Sequence, residues 1–224
     1  ISINPLAETG MVNFKNPQSV SDMLGNGQAM ADVHLPVKIN EDIALAKLIL
    51  KKLVALDAKN SNVLDHEFIV EYVDGYDDLL KDLEHYDTES LQKRCGVYMR
   101  KIDQVVQLLA ENSKIVICWA VGITQHKNAE DCIKEYVNIL LLKGAVGKPF
   151  AGTCPVRGHS NVQGDRSVGI MHYVKKTLNE NIQKHLNFDP PTEKGYDTVE
   201  AIEAMHEGKA KVFVCLGGNF LMAA

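Results

Sequence analysis

Lys114–His126 reads KIVICWAVGITQH. Its first half, from Ile115 to Trp119, is a short apolar run rich in β-branched residues. That composition suits a strand buried on both faces of a parallel sheet. Ala120-Val121-Gly122-Ile123-Thr124-Gln125-His126 then turns the chain. A helix is expected from Asn128 to about Lys143, with Ile133, Tyr136, Val137, Leu140 and Leu141 inward. Strand, glycine-bearing turn and helix form the βα unit in which ligands bind at the carboxyl end of the strand. The fold class expected from this stretch is α/β, with parallel strands and flanking helices.

Gly144 and Gly147 end that helix. Beyond it lies Gly147–Gly169, GKPFAGTCPVRGHSNVQGDRSVG, with five glycines and no apolar period. Long polar loops inside compact chains are uncommon and tend to be functional. The stretch is expected to be an ordered loop that lies against a ligand. Asn161 and Gln163 each offer a donor and an acceptor, which suits the edge of a heterocycle. Arg157 and Arg166 offer planar forks for a phosphate or carboxylate. His159 can donate, accept or titrate near neutral pH. Taken singly, each is also what a solvated loop carries, and His126 is also suited to capping the helix that follows it.

Upstream, Ile3-Asn4-Pro5-Leu6 reads as a strand exit and residues 10–31 as mostly loop. Ala31–Val37 alternates as a short edge strand, with Pro36 at the edge. Asn40 is the expected N-cap of a strongly apolar helix running to Leu56. Further helices are expected over 64–72 (opening at Asp65), 76–85, 88–91 and 97–111. Downstream, helices are expected over 174–186 and 196–208. Lys211–Leu216, KVFVCL, reads as a second buried strand that runs into Gly217-Gly218-Asn219. Glycine at strand ends lets backbone N–H groups approach a phosphate. There is no GxGxxG and no P-loop, so neither an ordinary dinucleotide fingerprint nor a kinase-type site is supported.

The bulk numbers narrow the classes further. With 224 residues the chain is one large domain or two small ones, and its net charge of −5 gives no case for nucleic-acid or anionic-membrane binding. No apolar run is long enough to span a bilayer, so no membrane segment is expected. The cysteines (Cys95, Cys118, Cys132, Cys154 and Cys215) are odd in number and form no CxxC pair. A disulfide framework or a metal site built from them is not expected, and they suit a reducing, cytoplasmic setting. Most are expected to be buried small hydrophobes, Cys154 excepted. Both ends, Ile1 without a Met and Leu221-Met222-Ala223-Ala224, are expected to be cut from something longer.

The motifs also carry a family resemblance. Cys154-Pro155-Val156-Arg157-Gly158-His159-Ser160-Asn161-Val162-Gln163-Gly164-Asp165 resembles the central loop of molybdopterin-dependent oxidoreductases of the formate dehydrogenase, nitrate reductase and DMSO reductase superfamily, most of all the formate dehydrogenase-like α subunits. Ile3-Asn4-Pro5-Leu6 with Glu8 is similar to a nucleotide-contacting loop of that family, and Ala31–Pro36 to its ADxHLP strand. Trp119–His126 is similar to its WxMGxTQH turn, and Leu216–Phe220 to its late GxN loop.

The resemblance implies Rossmann-like parallel-sheet layers with flanking helices, in incomplete domains of the formate dehydrogenase/DMSO reductase fold. Residues 1–156 would be most of one molybdopterin-dinucleotide domain; residues 157–224 would be the crossover loop and the start of its pseudo-symmetric partner. The implied cofactor is bis-molybdopterin guanine dinucleotide with molybdenum or tungsten. Some members carry a 4Fe-4S cluster in an amino-terminal part that, like the metal-ligand residue, has no counterpart here, so no metal ligand is expected within this chain. Implied cofactor contacts are Asn4, Glu8, Gly122, Thr124, Gln125, His126, Gly158, Asn161, Gln163, Gly164, Gly217, Gly218 and Asn219. Arg157 would orient a substrate anion, with His159 beside it as the second candidate catalytic residue. His159-Ser160 stand where well-studied formate dehydrogenases have Gln-Asn. The implied partners are a small-molecule substrate and an electron acceptor, protein or carrier. The alternative is a non-catalytic α/β nucleotide-binding module.

Overall fold

The computed structural model describes all residues except 26, 61, 216–221 and 223–224. The chain divides into two units, Ile1–Arg157 and Gly158–Ala224. The first contains β1 (Ser2–Ile3), α1 (Thr9–Val12), β2 (Asn13–Phe14), α2 (Val20–Leu24), β3 (Gln28–Ala29), β4 (His34–Leu35), α3 (Asp42–Asp57), α4 (His66–Tyr72), α5 (Tyr76–Glu84), α6 (Thr88–Cys95), α7 (Met99–Glu111), β5 (Val116–Trp119), α8 (Val121–Thr124), α9 (Ala129–Leu142) and β6 (Gly152–Pro155). The second contains α10 (Val162–Ser167), α11 (Lys176–Leu186) and α12 (Thr198–His206).

Helix α3 is the centre of the first unit. Ala44, Leu45, Ala46, Leu48, Ile49, Leu50 and Leu53 are buried on it, so it is enclosed on nearly every side. It packs against α5, α6, α7 and α9. Charged residues are enclosed with it: Asp42, Lys47 and Asp57 are buried on the same helix. Lys47 forms ion pairs with Asp82 of α5 and with Glu135 of α9, the latter at 2.6 Å. Its ammonium also lies 4.6 Å from the Tyr86 ring centroid, in cation–π range. Burial alone would push the Lys47 pKa down, but the hydrogen bonds and charges of Asp82 and Glu135 more than offset it, and the ammonium is held above its ordinary value.

The expected helices are present with small shifts of boundary. The start of α3 is corrected: Glu41, not Asn40, is the N-cap, and it makes no side-chain cap. Asn40 instead turns the chain in the left-handed region, φ 66°, which Asn tolerates better than most residues. In the second unit Asp197 caps α12 through a reciprocal capping box with Glu200. Residues 10–31 form short elements, α2 and the antiparallel β2–β3 pair among them.

The sheets are smaller than the sequence suggested. Parallel pairing is present in β1–β4 and β5–β6, but each described sheet has two strands, so among the described residues there are no continuous Rossmann-like layers. Strand β5 alternates exposed and half-buried residues instead of being covered on both faces. With one partner and helix α9 behind it, only Ile117 and Trp119 find cover. Residues 211–215, expected as a buried strand, are irregular and exposed. The stretch 147–169 is not one loop: it contains β6 and α10.

Asp65 fixes how this stretch begins. Its carboxylate accepts the Phe68 N–H at 3.0 Å as N-cap of α4 and pairs with Lys148 at 2.8 Å, while its own N–H donates to Leu142 O at 2.9 Å. Just past α9, Gly144 has φ 55° and lies so close that a Cβ would collide with the Asp65 carboxylate; only glycine fits there. Chiefly the Lys148 hydrogen bond, then that of Phe68, holds the Asp65 carboxyl below 3.8.

Two outcomes are expected. Lys47→Ala, which strands the Glu135 carboxylate, costs about 3 kcal/mol in urea unfolding followed by Trp119 fluorescence; Lys47→Met with Glu135→Leu recovers most of it. Asp65 has a lowered folded pKa, so its contribution is complete above its unfolded value and is lost as pH falls through the folded one. Asp65→Asn therefore flattens the loss of stability on acidification below about pH 4, measured as unfolding midpoints across pH.

Candidate functional site

Strands β5 and β6 pair in parallel with the register Val116↔Gly152, Ile117↔Thr153, Cys118↔Cys154 and Trp119↔Pro155. The ladder is bracketed by Gly152 N–H donating to Ile115 O at 2.9 Å and Val156 N–H donating to Trp119 O at 2.7 Å. Parallel strands release their chains at the same end of the sheet, and here the two exits are residues 120–126 and 156–157. The structure thus brings Gly122, Thr124, Gln125 and His126 to the same sheet end as Arg157. Asn4 and Glu8 follow the other parallel pair, again at a carboxyl end. The Asn4 N–H donates to Leu35 O at 3.2 Å and its amide contacts Met11 Sδ at 3.7 Å, while Glu8 is exposed.

The expected glycine turn after β5 is the single-turn helix α8, which contains Gly122 and Thr124. Thr124 and Gln125 are exposed and His126 is half-buried. His126 does not cap α9, whose N-cap is Asn128. Its ring turns toward α3 instead, with Nδ1 4.0 Å from Asp42 Oδ2. Asp42 was not singled out in the sequence, where it read as an ordinary helix-start acid. Burial raises its pKa, only partly offset by its backbone hydrogen bond and by His126. Tyr136 donates to Asp42 O at 3.4 Å. Burial, then the charges of Asp42 and Glu135, pushes the nearby Cys132 thiol up to about 12, so it stays protonated.

Gly158, His159, Asn161, Gln163 and Gly164 belong to the second unit and are exposed. Asn161 stands at the N-cap of α10 without making a side-chain cap, and Gln163 and Gly164 lie within that helix. Gly217, Gly218 and Asn219 lie outside the described residues.

Within each unit taken by itself, the residues suit a polar, phosphate-bearing heterocycle in two respects. Arg157, Thr124, Gln125, Asn161 and Gln163 are exposed, and their donors and acceptors suit such a ligand. Second, a Cβ placed on Gly122, Gly158 or Gly164 would meet nothing within 4 Å, and none of the three has φ in the left-handed region. Neither backbone conformation nor packing within the chain calls for glycine at these positions; what glycine leaves there is room for close approach to the backbone. The Asn128 Oδ1 atom, buried beside this turn, also has no partner among the described residues. Among the described residues, no three His, Cys, Asp or Glu side chains cluster to hold a metal ion.

The chain has relatives along its full length, some of them named as oxidoreductases. No protein-family model matches it. An uncharacterized oxidoreductase of Mycobacterium tuberculosis is 38% identical over 224 residues, which is 100% of this chain and 29% of that protein. Protein YdeP of Escherichia coli is 35% identical over 229 residues, covering 100% of this chain and 30% of its own. Formate dehydrogenase H of E. coli is 27% identical over 197 residues, 84% of this chain and 27% of its own. Along its length the chain is thus similar to proteins named as oxidoreductases, in agreement with the formate dehydrogenase-like family that its loop motifs resemble. It spans about three-tenths of the length of these relatives.

Gly122→Ala is expected to leave unfolding midpoints unchanged or slightly raised, by up to about 1 kcal/mol, because the position is helical and uncrowded. Thermal unfolding of the two proteins side by side measures this.

Proposed function

We infer that the protein to which this chain belongs is a molybdenum or tungsten oxidoreductase acting on a small substrate. In this reading the chain supplies part of the bed for bis-molybdopterin guanine dinucleotide. The observation that carries it is unbroken similarity along the whole chain to larger oxidoreductases, together with the Cys154–Asp165 run. When bound, the cofactor supplies the two-electron redox chemistry.

This chain's own residues would bind and orient. Thr124, Gln125 and His126 would lie near the pterin, and Asn161 and Gln163 would hydrogen-bond to it. Gly122, Gly158 and Gly164 leave room for close approach, while Asn4, Glu8, Gly217, Gly218 and Asn219 reach the dinucleotides. Residues 1–156 and 157–224 are then parts of two dinucleotide domains, whose sheets gain their full Rossmann-like layers in the whole protein. Arg157, an exposed guanidinium at the end of β6, holds the substrate anion in a fixed orientation. His159, two residues on, offers a proton donor and acceptor beside it. Because His159-Ser160 replace a Gln-Asn pair, we assign the substrate to small anions generally and not to formate in particular. The electrons pass to an acceptor, protein or carrier, in the cytoplasm.

The whole protein is expected to hold stoichiometric molybdenum or tungsten and to release a guanine-bearing pterin on denaturation. Elemental analysis and nucleotide release test this, and absence of both would sink the reading. Gly122→Ala is expected to lower cofactor content in folded protein. Arg157→Lys should keep the metal and lose about 10²-fold in kcat/KM for an anionic substrate, since a point charge replaces a planar fork.

A further inference from the structure

Cys118 and Cys154 lie 36 positions apart in sequence, yet they are register partners on adjacent parallel strands. Neighbouring strands run about 4.8 Å apart, inside the Cα separations of about 4.4–6.8 Å at which disulfides form. Partners in register point to the same face of a sheet, and both thiols are exposed. Ile117 packs toward the core from the opposite face. The backbone hydrogen bonds at Ile115–Gly152 and Trp119–Val156 close the ladder on either side of the pair and hold the strands in place. Burial, then the neighbouring Cys154, holds the Cys118 thiol above its ordinary value.

We propose that Cys118 and Cys154 are a reversible dithiol–disulfide site that reacts with low-molecular-weight disulfides such as oxidised glutathione. One protein thiolate attacks the small disulfide and expels one small thiolate, leaving a mixed disulfide. The second protein thiolate attacks the protein sulfur of that adduct and expels the other. Two electrons pass from the protein to the oxidant; the protein thiols lose two protons, and the two released small thiols take up two. The link staples the strands two residues before both exits, so it ties residues 120–126 to Val156-Arg157. It needs no cofactor, only this sheet with the face that carries the two thiols open to a small disulfide.

The test equilibrates the whole protein in glutathione buffers of graded potential, traps it by acid quench and alkylation, and maps peptides without reduction. The expected result is a peptide cross-link between Cys118 and Cys154 whose oxidised-to-reduced ratio changes tenfold per about 30 mV, as a two-electron couple requires. Glutathione adducts at either cysteine should be about tenfold or more below the linked form, because the second step is intramolecular. In Cys118→Ser the adduct at Cys154 should accumulate instead, and in Cys154→Ser the adduct at Cys118. Separate adducts on both cysteines of the unsubstituted protein, or two thiols that stay reduced across the series, would overturn the proposal. Neither outcome bears on metal content, so this inference and the cofactor reading fail independently.

Discussion

The first unit depends on how the buried ammonium of Lys47 is paired. Helix α3 is apolar on almost every face, which suits burial among α5, α6, α7 and α9. Lys47 stands in the middle of it, and an ammonium there is tolerated only with carboxylates at hand. Asp82 and Glu135 meet that need from two different helices, so α5 and α9 cannot slide along α3 without stranding a charge. Apolar packing gives the unit its stability, and this charge triad fixes the relative setting of its helices.

Helix α9 carries that setting on to the carboxyl end of the β5–β6 sheet. Its inner residues Tyr136, Ile139 and Leu140 lock it to the core. Its first turn follows His126, whose ring faces Asp42 at the start of α3. Its last turn ends at Gly144, pressed against Asp65. Both connections of α9, one coming from β5 and one leading to β6, are therefore anchored in the same core. The exits at Thr124–His126 and at Arg157 inherit this rigidity from well outside the loops.

Much of this was legible from sequence. The helices announce themselves by period, and Asp65 and Gly144 mark boundaries through ordinary capping chemistry. The family was readable because its loops are polar, glycine-bearing and fixed in order. What was not legible depends on which surfaces meet. An apolar run such as KIVICW reads as covered on both faces, but composition does not supply the second cover, and Val116 and Cys118 are exposed. Asp42 looked like a helix-start acid because nothing local shows that His126, far along the chain, lies beside it. Cys118 and Cys154 escaped a search for short cysteine spacings because strand register, not spacing, makes them neighbours. KVFVCL has the pattern of a buried strand, yet residues 211–215 are irregular: periodicity reports a preference, and pairing requires a neighbour.

The two-stranded β5–β6 sheet has a practical consequence for handling this polypeptide by itself. Among the described residues each strand has one partner, so each presents an outer row of backbone donors and acceptors. Val116, Phe150 and Val156 stand exposed on or beside it. Open strand edges with apolar flanks are templates for pairing with another chain. At high concentration, copies of this chain will add to one another strand by strand, and a charged residue in place of Val116 or Val156 is the direct way to keep them apart.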